Sequence, residues 1–331
     1  MQVLLRAKLS MCHGKDRSRE MCPPLKRLIV TGGAGFLGGH LVRALLRKGA
    51  TVTVLDKVQR PRTLPISPRL VYRRMDIARI NTLASESLPS TGIVHLAAKT
   101  SVQESVRHPS STVRSNIATT CSALEFARRM DSERFLFAST AAVYGDLVTR
   151  CREVDAPSPN SPYAVSKLAS EHYCKVYTKL YGIPTVILRY FNIYGPGQSA
   201  AYAGVITRFV REALRRSPPV IFGDGRQTRD FVFINDVVNA TISSLDKSLP
   251  RATTINIATG RATSIKSLAK MILDILKLPN LHPIHTSPKV GDVRHSRADI
   301  SLARKMLHFR PRYDLNSGLR ATIDWFRAKE M

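Results

Sequence analysis

Between residues 27 and 190 the chain alternates short apolar runs with longer stretches whose apolar residues recur every three or four positions. The short runs are RLIVT (27–31), TVTVLD (51–56), RLVYRRMD (69–76), GIVHLAA (92–98), RFLFAST (134–140) and PTVILRY (184–190). Largely unbroken apolar runs of this length read as strands buried on both faces. The amphipathic stretches near 36–48, 111–130 and 161–181 read as helices between them. The alternation predicts an α/β fold, a Rossmann-type doubly wound parallel sheet with helices over both faces. Past Tyr190, loops rich in Gly and Pro (YGPGQ, SPPVIFGDGRQ) separate helical patterns near 203–215, 235–245, 264–277 and 315–328 and the strand-like TTINIAT. These predict a smaller C-terminal α/β domain over 191–331 beside a larger one over 26–190, with some later strands returning to the first sheet.

Residues 1–25 precede the first strand, and Pro23 and Pro24 end any regular element there. The apolar part of this extension is too short for a secretory signal, so it is expected to pack loosely, with Met21 an alternative start to Met1. No apolar run approaches the ~18 residues that span a bilayer. Together with 44% hydrophobic and 23% charged residues, this predicts a soluble cytoplasmic protein without a membrane span. Lys plus Arg is 51 against 24 Asp plus Glu, a net charge of +27 that would draw any polyanion. The cations are scattered, with no block of five like charges, so a basic solvated surface is expected rather than a nucleic-acid arm. Cys12, Cys22, Cys121, Cys151 and Cys174 form no CxxC and read as reduced thiols. His282 and His285 in LHPIH lack further ligands nearby and read as loop residues, so no metal is predicted.

LIVTGGAGFLGGHLVRALL places Gly32, Gly35 and Gly38 between a strand and an amphipathic helix. One glycine lets the chain turn off the strand, another admits a pyrophosphate to the backbone, and the last lets the helix pack close to the sheet. Asp56 ends the second strand, where a carboxylate accepts from adenosine ribose hydroxyls and repels a 2′-phosphate. NAD is therefore favoured over NADP, although Lys57 and Arg60 soften the repulsion. Asp76 and Ile77 end the third run, where the adenine would lie.

In SPYAVSK, Tyr163 and Lys167 are four apart and share a helix face. A free tyrosine titrates at about 10, and a neighbouring ammonium favours the phenolate. A drop of about two to three units would make Tyr163 a useful general base. Such a pair is common on surface helices, but here Ser139 and Thr140 close another strand at its carboxyl end, where open parallel sheets hold their ligands. The Thr140 hydroxyl can hydrogen-bond a reacting oxygen opposite Tyr163.

TGGAGFLG, HLAA (95–98), SNIATT around Asn116, STAAVYG, SPYAVSK, LRYFNIYGPGQ, GDGRQTRDFV and GDVRHSRADISLARKML together resemble the extended short-chain dehydrogenase/reductases, and within them the UDP-hexose 4-epimerases. The resemblance runs from about residue 27 to 328. It implies Thr140, Tyr163 and Lys167 as catalytic residues. It implies an NAD site at Gly32, Gly35, Phe36, Leu37, Gly38, Asp56, Asp76, Ile77, Leu96, Ala97, Asn116 and Tyr190, shared with Tyr163 and Lys167. It implies that the UDP-sugar meets Asn192, Val205 beside the base, Arg229 at the diphosphate, Lys289, Asp292 at the ribose, and Ser296. Two positions depart from the family: Lys289 stands where an Arg is frequent, and Lys99 sits one place before a lysine common in the epimerases and is left out of the catalytic set.

The family's dehydratases carry an Asp-Glu pair after the catalytic Thr, and its decarboxylases tend to have an acid nearby; this chain has Ala141 and Ala142. Its reductases prefer NADPH, which Asp56 disfavours. The resemblance therefore implies redox without net change: UDP-glucose and UDP-galactose interconverted through a transient 4-keto sugar. A bulky Tyr four residues after the GD aspartate confines relatives to these sugars, whereas Ser296 would also admit UDP-N-acetylglucosamine and UDP-N-acetylgalactosamine. A UDP-glucuronate 4-epimerase or decarboxylase is the alternative within the family. A non-catalytic dinucleotide-sensing or nucleic-acid-binding relative is the alternative outside it, and the intact Thr140, Tyr163 and Lys167 argue against that. The family's dimers pair two long helices, which match 111–130 and 161–181, so a homodimer is expected.

Overall fold

The computed structural model describes residues 26–83, 92–146, 149–199, 204–246, 248–288 and 293–330. The N-terminal extension, Lys289 and Asp292 lie outside these residues. In chain order the strands are β1 (Arg27–Thr31), β2 (Thr51–Asp56), β3 (Leu70–Arg74), β4 (Gly92–His95), β5 (Phe135–Thr140), β6 (Thr185–Tyr190), β7 (Asn192–Tyr194), β8 (Val220–Phe222), β9 (Thr228–Arg229), β10 (Phe231–Phe233), β11 (Thr253–Ile257), β12 (Thr263–Ser264) and β13 (Ile284–Thr286). The helices are α1 (Phe36–Arg47), α2 (Val102–Arg107), α3 (Pro109–Arg129), α4 (Pro162–Tyr181), α5 (Val205–Leu214), α6 (Ile234–Ser243), α7 (Ile265–Leu276), α8 (Ser301–Leu307) and α9 (Leu315–Glu330).

Seven strands form one parallel sheet in the order β11-β6-β5-β4-β1-β2-β3. The chain winds outward from β1 to β3, then crosses back to β4 and winds the other way. The crevice beyond the carboxyl ends of β1 and β4 is thus the switch point, where open sheets of this kind bind ligands. Every residue of β6 is buried, which is why PTVILRY is so continuously apolar. On one face Val30, Val52 and Val54 pack against Leu41, Val42 and Leu45 of α1. On the other, Ile29, Leu55, Ile93 and Phe137 pack against Leu124 and Phe126 of α3. β11, drawn from the later half of the chain, completes the sheet beside β6. The later helices α6 and α7 share the core cluster that holds α1.

LHPIH differs from its reading as a loop. Ile284–Thr286 is strand β13, paired with β8, and His285 Nδ1 sits 2.7 Å from the Gly223 carbonyl. Its side chains are exposed, so no buried pattern marks this edge strand in the sequence. Among the described residues no helix is long and apolar enough to cross a membrane.

Candidate functional site

Gly32 follows β1 with φ +69, and a Cβ there would lie 2.7 Å from the Ala97 nitrogen. Only glycine tolerates that turn. Gly38 differs from its expected role. A Cβ on Gly38 would collide with the Gly32 carbonyl and the Gly33 Cα, so it lets α1 close on the turn itself. It is Gly33, whose Cβ would come 2.7 Å from the Val54 side chain, that lets the turn lie against β2. Gly35 is exposed and caps α1 in extended conformation with no side-chain hydrogen bond. The first turn of α1 carries no acid. Its amides are therefore open to an anion, with the helix dipole behind them. Phe36 and Leu37 pack partly buried on the core below.

The expected adenosine contacts carry structural duties as well. Asp56 accepts from the Ala34 amide through Oδ2 (3.0 Å) and from Val58 through Oδ1 (3.3 Å), bracing the glycine turn. Asp76 is exposed and caps the short 3-10 turn Ile77–Thr82 by accepting from Ala78 at 3.0 Å, with Ile77 buried behind it. Leu96 and Ala97 leave β4 and donate to the carbonyl and the hydroxyl of Thr31, at 3.2 and 3.3 Å. Asn116, buried on α3, grips both backbone groups of Lys99 and donates to Ser166 Oγ at 2.9 Å. It joins the 96–99 segment to α4. The Tyr190 hydroxyl meets Thr241 Oγ at 2.8 Å, inside the core.

α4 brings the chemistry to the switch point. Ser161 caps it by accepting from Ala164, and Pro162 opens the first turn. Tyr163 and Lys167 are both buried, and the Lys167 ammonium donates to the Ala138 carbonyl at 2.7 Å over the Phe137 ring. Burial pushes the Tyr163 phenol up to about 12, and its hydrogen bond with Thr140 pulls it partly back. The expected lowering by Lys167 is not seen, because burial dominates and the ammonium is turned to the Ala138 carbonyl. Burial draws Lys167 down to about 8, with Cys174 and Glu171 opposing. The Thr140 oxygen also accepts from the Ala142 amide at 3.2 Å, which fixes its direction. The result is a hydroxyl pair at the sheet's carboxyl edge, backed by a buried cation.

Of the expected sugar-nucleotide residues, Asn192 donates to the Asp230 carbonyl at 3.1 Å, Val205 opens α5, and Arg229 ends β9 with Nη1 on the Thr228 carbonyl at 2.8 Å. Ser296 is buried, 8% exposed. Sequence reasoning missed Asp230. It is wholly buried and accepts from the Thr259 amide (2.8 Å) and hydroxyl (2.6 Å), Gly260 (2.8 Å) and Ala298 (3.3 Å). Burial raises its pKa and these donors oppose the rise. An acid beside the apolar FVF was the available signal. The Arg294 and Asp224 pair, bidentate at 2.7 Å, was also missed. A cavity of about 440 Å³ lined by Arg134, Pro184 and Arg251 opens beside the amino ends of β5 and β6, the wrong end of the sheet for this chemistry.

The family model described as the NAD dependent epimerase/dehydratase family matches residues 28–258. A UDP-glucose 4-epimerase of Mycolicibacterium smegmatis is 34% identical, the match covering 92% of this chain and 99% of that one. The crystal structure of a Thermotoga maritima UDP-glucose 4-epimerase with UDP-glucose superposes with a TM-score of 0.86 at 32% identity, covering 92% of this chain and 100% of that one. A UDP-N-acetylglucosamine 4-epimerase from Methanobrevibacter ruminantium M1, in complex with UDP-N-acetylmuramic acid, gives 0.85 at 32% identity, covering 92% and 99%. Relatives of similar identity are named as a UDP-glucuronate 4-epimerase and a UDP-N-acetyl-alpha-D-glucosaminuronate decarboxylase. The glycine turn, the Thr140, Tyr163 and Lys167 cluster and these matches agree: the chain belongs to the NAD-dependent epimerase/dehydratase family.

Proposed function

We propose that this protein is a UDP-sugar 4-epimerase acting on UDP-glucose and UDP-galactose, and on their 2-acetamido counterparts. The hydrogen-bonded Thr140 and Tyr163 at the switch point carry the reading. Ala141 and Ala142, the residues that follow, cannot shuttle protons for dehydration. The uncapped N-terminus of α1 fits a pyrophosphate, and Gly32, Gly35, Gly38 and Asp56 would hold the cofactor there. NAD supplies a hydride acceptor and, once reduced, a hydride donor. Tyr163 takes the proton of the sugar 4-hydroxyl and later returns it, while Thr140 holds the same oxygen. Lys167 keeps positive charge beneath them. Arg229 anchors the diphosphate while the 4-keto sugar turns over.

Deprotonated Tyr163 and protonated Lys167 are both needed. With the Tyr163 phenol up at about 12 and the Lys167 ammonium down at about 8, turnover should climb with pH to about 8 and level off above it, as the gain in phenolate is cancelled by the loss of ammonium. The deciding experiment is a panel of UDP-sugars, including UDP-glucuronate, followed by NMR. Inversion at C4 is the expected outcome; loss of water or of carbon dioxide in its place overturns the reading.

The quaternary proposal is a homodimer through α3 and α4. Val165, Tyr173, Val176 and Leu180 lie along one face of α4 and are 42–63% exposed. An apolar stripe of that kind favours a covered state, and a monomer by light scattering at micromolar concentration would count against it.

A further inference from the structure

Behind the proton-transfer pair lies a second buried group of charges. Glu171 stands one helical turn beyond Lys167 on α4 and is wholly enclosed. Its Oε1 accepts from Ser139 Oγ at 2.5 Å and Arg189 Nε at 2.9 Å, and its Oε2 from Arg189 Nη2 at 2.7 Å. Ser139 and Arg189 are register partners on β5 and β6, each one residue before Thr140 and Tyr190. The Arg189 guanidinium lies 4.7 Å above the Tyr144 ring, and the Tyr144 hydroxyl donates to Asn256 on β11 at 2.7 Å. Asn256 in turn donates to the Cys151 and Asp299 carbonyls, at 2.9 and 3.4 Å.

A buried ion pair of this kind adds little net stability over apolar side chains of the same volume. It does add direction. The other contacts between α4 and the sheet include apolar ones, which permit a helix to rotate or slide. Three donors converging on one carboxylate do not. Charge adds a second effect. The negative Glu171 favours the Lys167 ammonium, and the positive Arg189, bonded to the same carboxylate, offsets that charge.

We propose that Ser139, Glu171 and Arg189 are positioning residues that lock α4 in register on β5 and β6 and balance the charge felt by Lys167. The proposal rests on the catalytic role given to Lys167 above. The groups around that ammonium are Glu171 and Cys174 on α4, with Tyr163 one turn before it, the Ala138 carbonyl and Phe137 ring on β5 and His95 on β4; Arg189 on β6 is joined to them through the Glu171 carboxylate. Cys121 on α3 lies beyond Cys174. Burial pushes His95 down to about 3, so it is neutral at working pH. Burial likewise raises both thiols, leaving them neutral. The balance is therefore held between Glu171 and Arg189.

The test is a charge cycle read by side-chain NMR of the lysines, with Lys167→Met assigning the signal. Glu171→Gln leaves Arg189 unopposed and should lower the Lys167 midpoint by about one pH unit; Arg189→Gln should raise it by a similar amount. The double variant Glu171→Gln with Arg189→Gln should return the midpoint to its starting value. Glu171→Asp keeps the charge but is too short to reach all three donors, so kcat should fall while the pH at which turnover levels off stays unmoved. Should the single variants fail to fold, Glu171→Leu combined with Arg189→Met removes both charges at similar volume. That protein should retain NAD and the midpoint while kcat drops about tenfold. Unmoved midpoints in the single variants, shifts in the same direction, or undiminished kcat in the apolar pair each overturn the proposal. The NMR readout needs no substrate. Opposite shifts in a protein that turns over no UDP-sugar would sink the reaction and leave the charge balance standing.

Discussion

The glycine turn after β1 and the segment around Ser296 both belong to the candidate site, and they are built in opposite ways. The turn is shaped from within, with the neighbouring β2 as its brace: Gly35 donates to the Gly32 carbonyl at 3.1 Å, Gly38 closes over the same carbonyl, and Gly32 and Ala34 donate to Leu55 and Asp56. The Ser296 segment is held by residues far off in the chain. Thr228 donates to the Arg294 carbonyl (3.0 Å), Cys151 to Arg297 (2.8 Å) and Ala298 to Asp230 (3.3 Å). Local geometry can be written in a short motif. Geometry assembled from partners 66 to 146 residues apart cannot.

The sharpest way to break the comparison is inside the turn. Gly38→Ala puts a methyl group into the Gly32 carbonyl and Gly33 Cα, which are backbone and cannot swing away. We expect loss of NAD binding and of most of the folded protein. Gly35→Ala meets only the Gly32 carbonyl, at 3.2 Å. It should fold and bind NAD more weakly. Thermal melts with and without NAD separate the two; equal melting points for both variants would show that the turn is not shaped from within. Next in size is Tyr163→Phe, which removes one oxygen from a buried ring. Turnover should fall roughly 10²-fold or more with NAD still bound. Activity near the parent's would take Tyr163 out of the mechanism.

The two regions also explain what the chain disclosed. The strands of the seven-stranded sheet, the glycine turn, Asp56 and the Tyr163 and Lys167 pair sit within a few residues of where pattern and spacing put them, because each depends on contacts along one element or between neighbours. The buried partners stayed hidden. Arg189 in the apolar run TVILRY and Glu171 one turn after Lys167 each signal an unmet charge, yet nothing local says that they meet. Asp230 is the same case, with donors at 259, 260 and 298. Asp230→Asn tests its weight. An amide offers one acceptor where the carboxylate offers two, so its NH2 must face backbone N–H donors. The expected loss is about 2 kcal/mol, roughly 3 °C in melting temperature for a chain of this size. Because Asp230 adjoins Arg229 and accepts from Asn192 through its carbonyl, KM for the UDP-sugar should rise about tenfold with NAD affinity unchanged. A matched fall in both affinities would make Asp230 a general support of the fold.

The smallest expected effect, and the most selective, is at Ser296. Its flanks are pinned on both sides: Arg294 by Asp224 and His295 by Thr228 before it, Arg297 by the Gly260 carbonyl (2.9 Å) and Ala298 by Asp230 after it. The backbone cannot turn a larger side chain away, so whatever replaces the serine must point where the serine points. The serine is buried, at 8% exposure, and its side chain is far smaller than a tyrosine's. Ser296→Tyr would place a ring there and should remove most activity toward UDP-N-acetylglucosamine, whose acetamido group needs the room. UDP-glucose, smaller at the same carbon, should still be turned over. Ser296→Ala keeps the space and should change neither activity, which separates lost volume from the lost hydroxyl. Steady-state kcat/KM for the two sugars in both variants decides the matter. A fall in both activities together for Ser296→Tyr would mean that the ring disturbs the pinned segment itself, and the gate would have to be sought elsewhere.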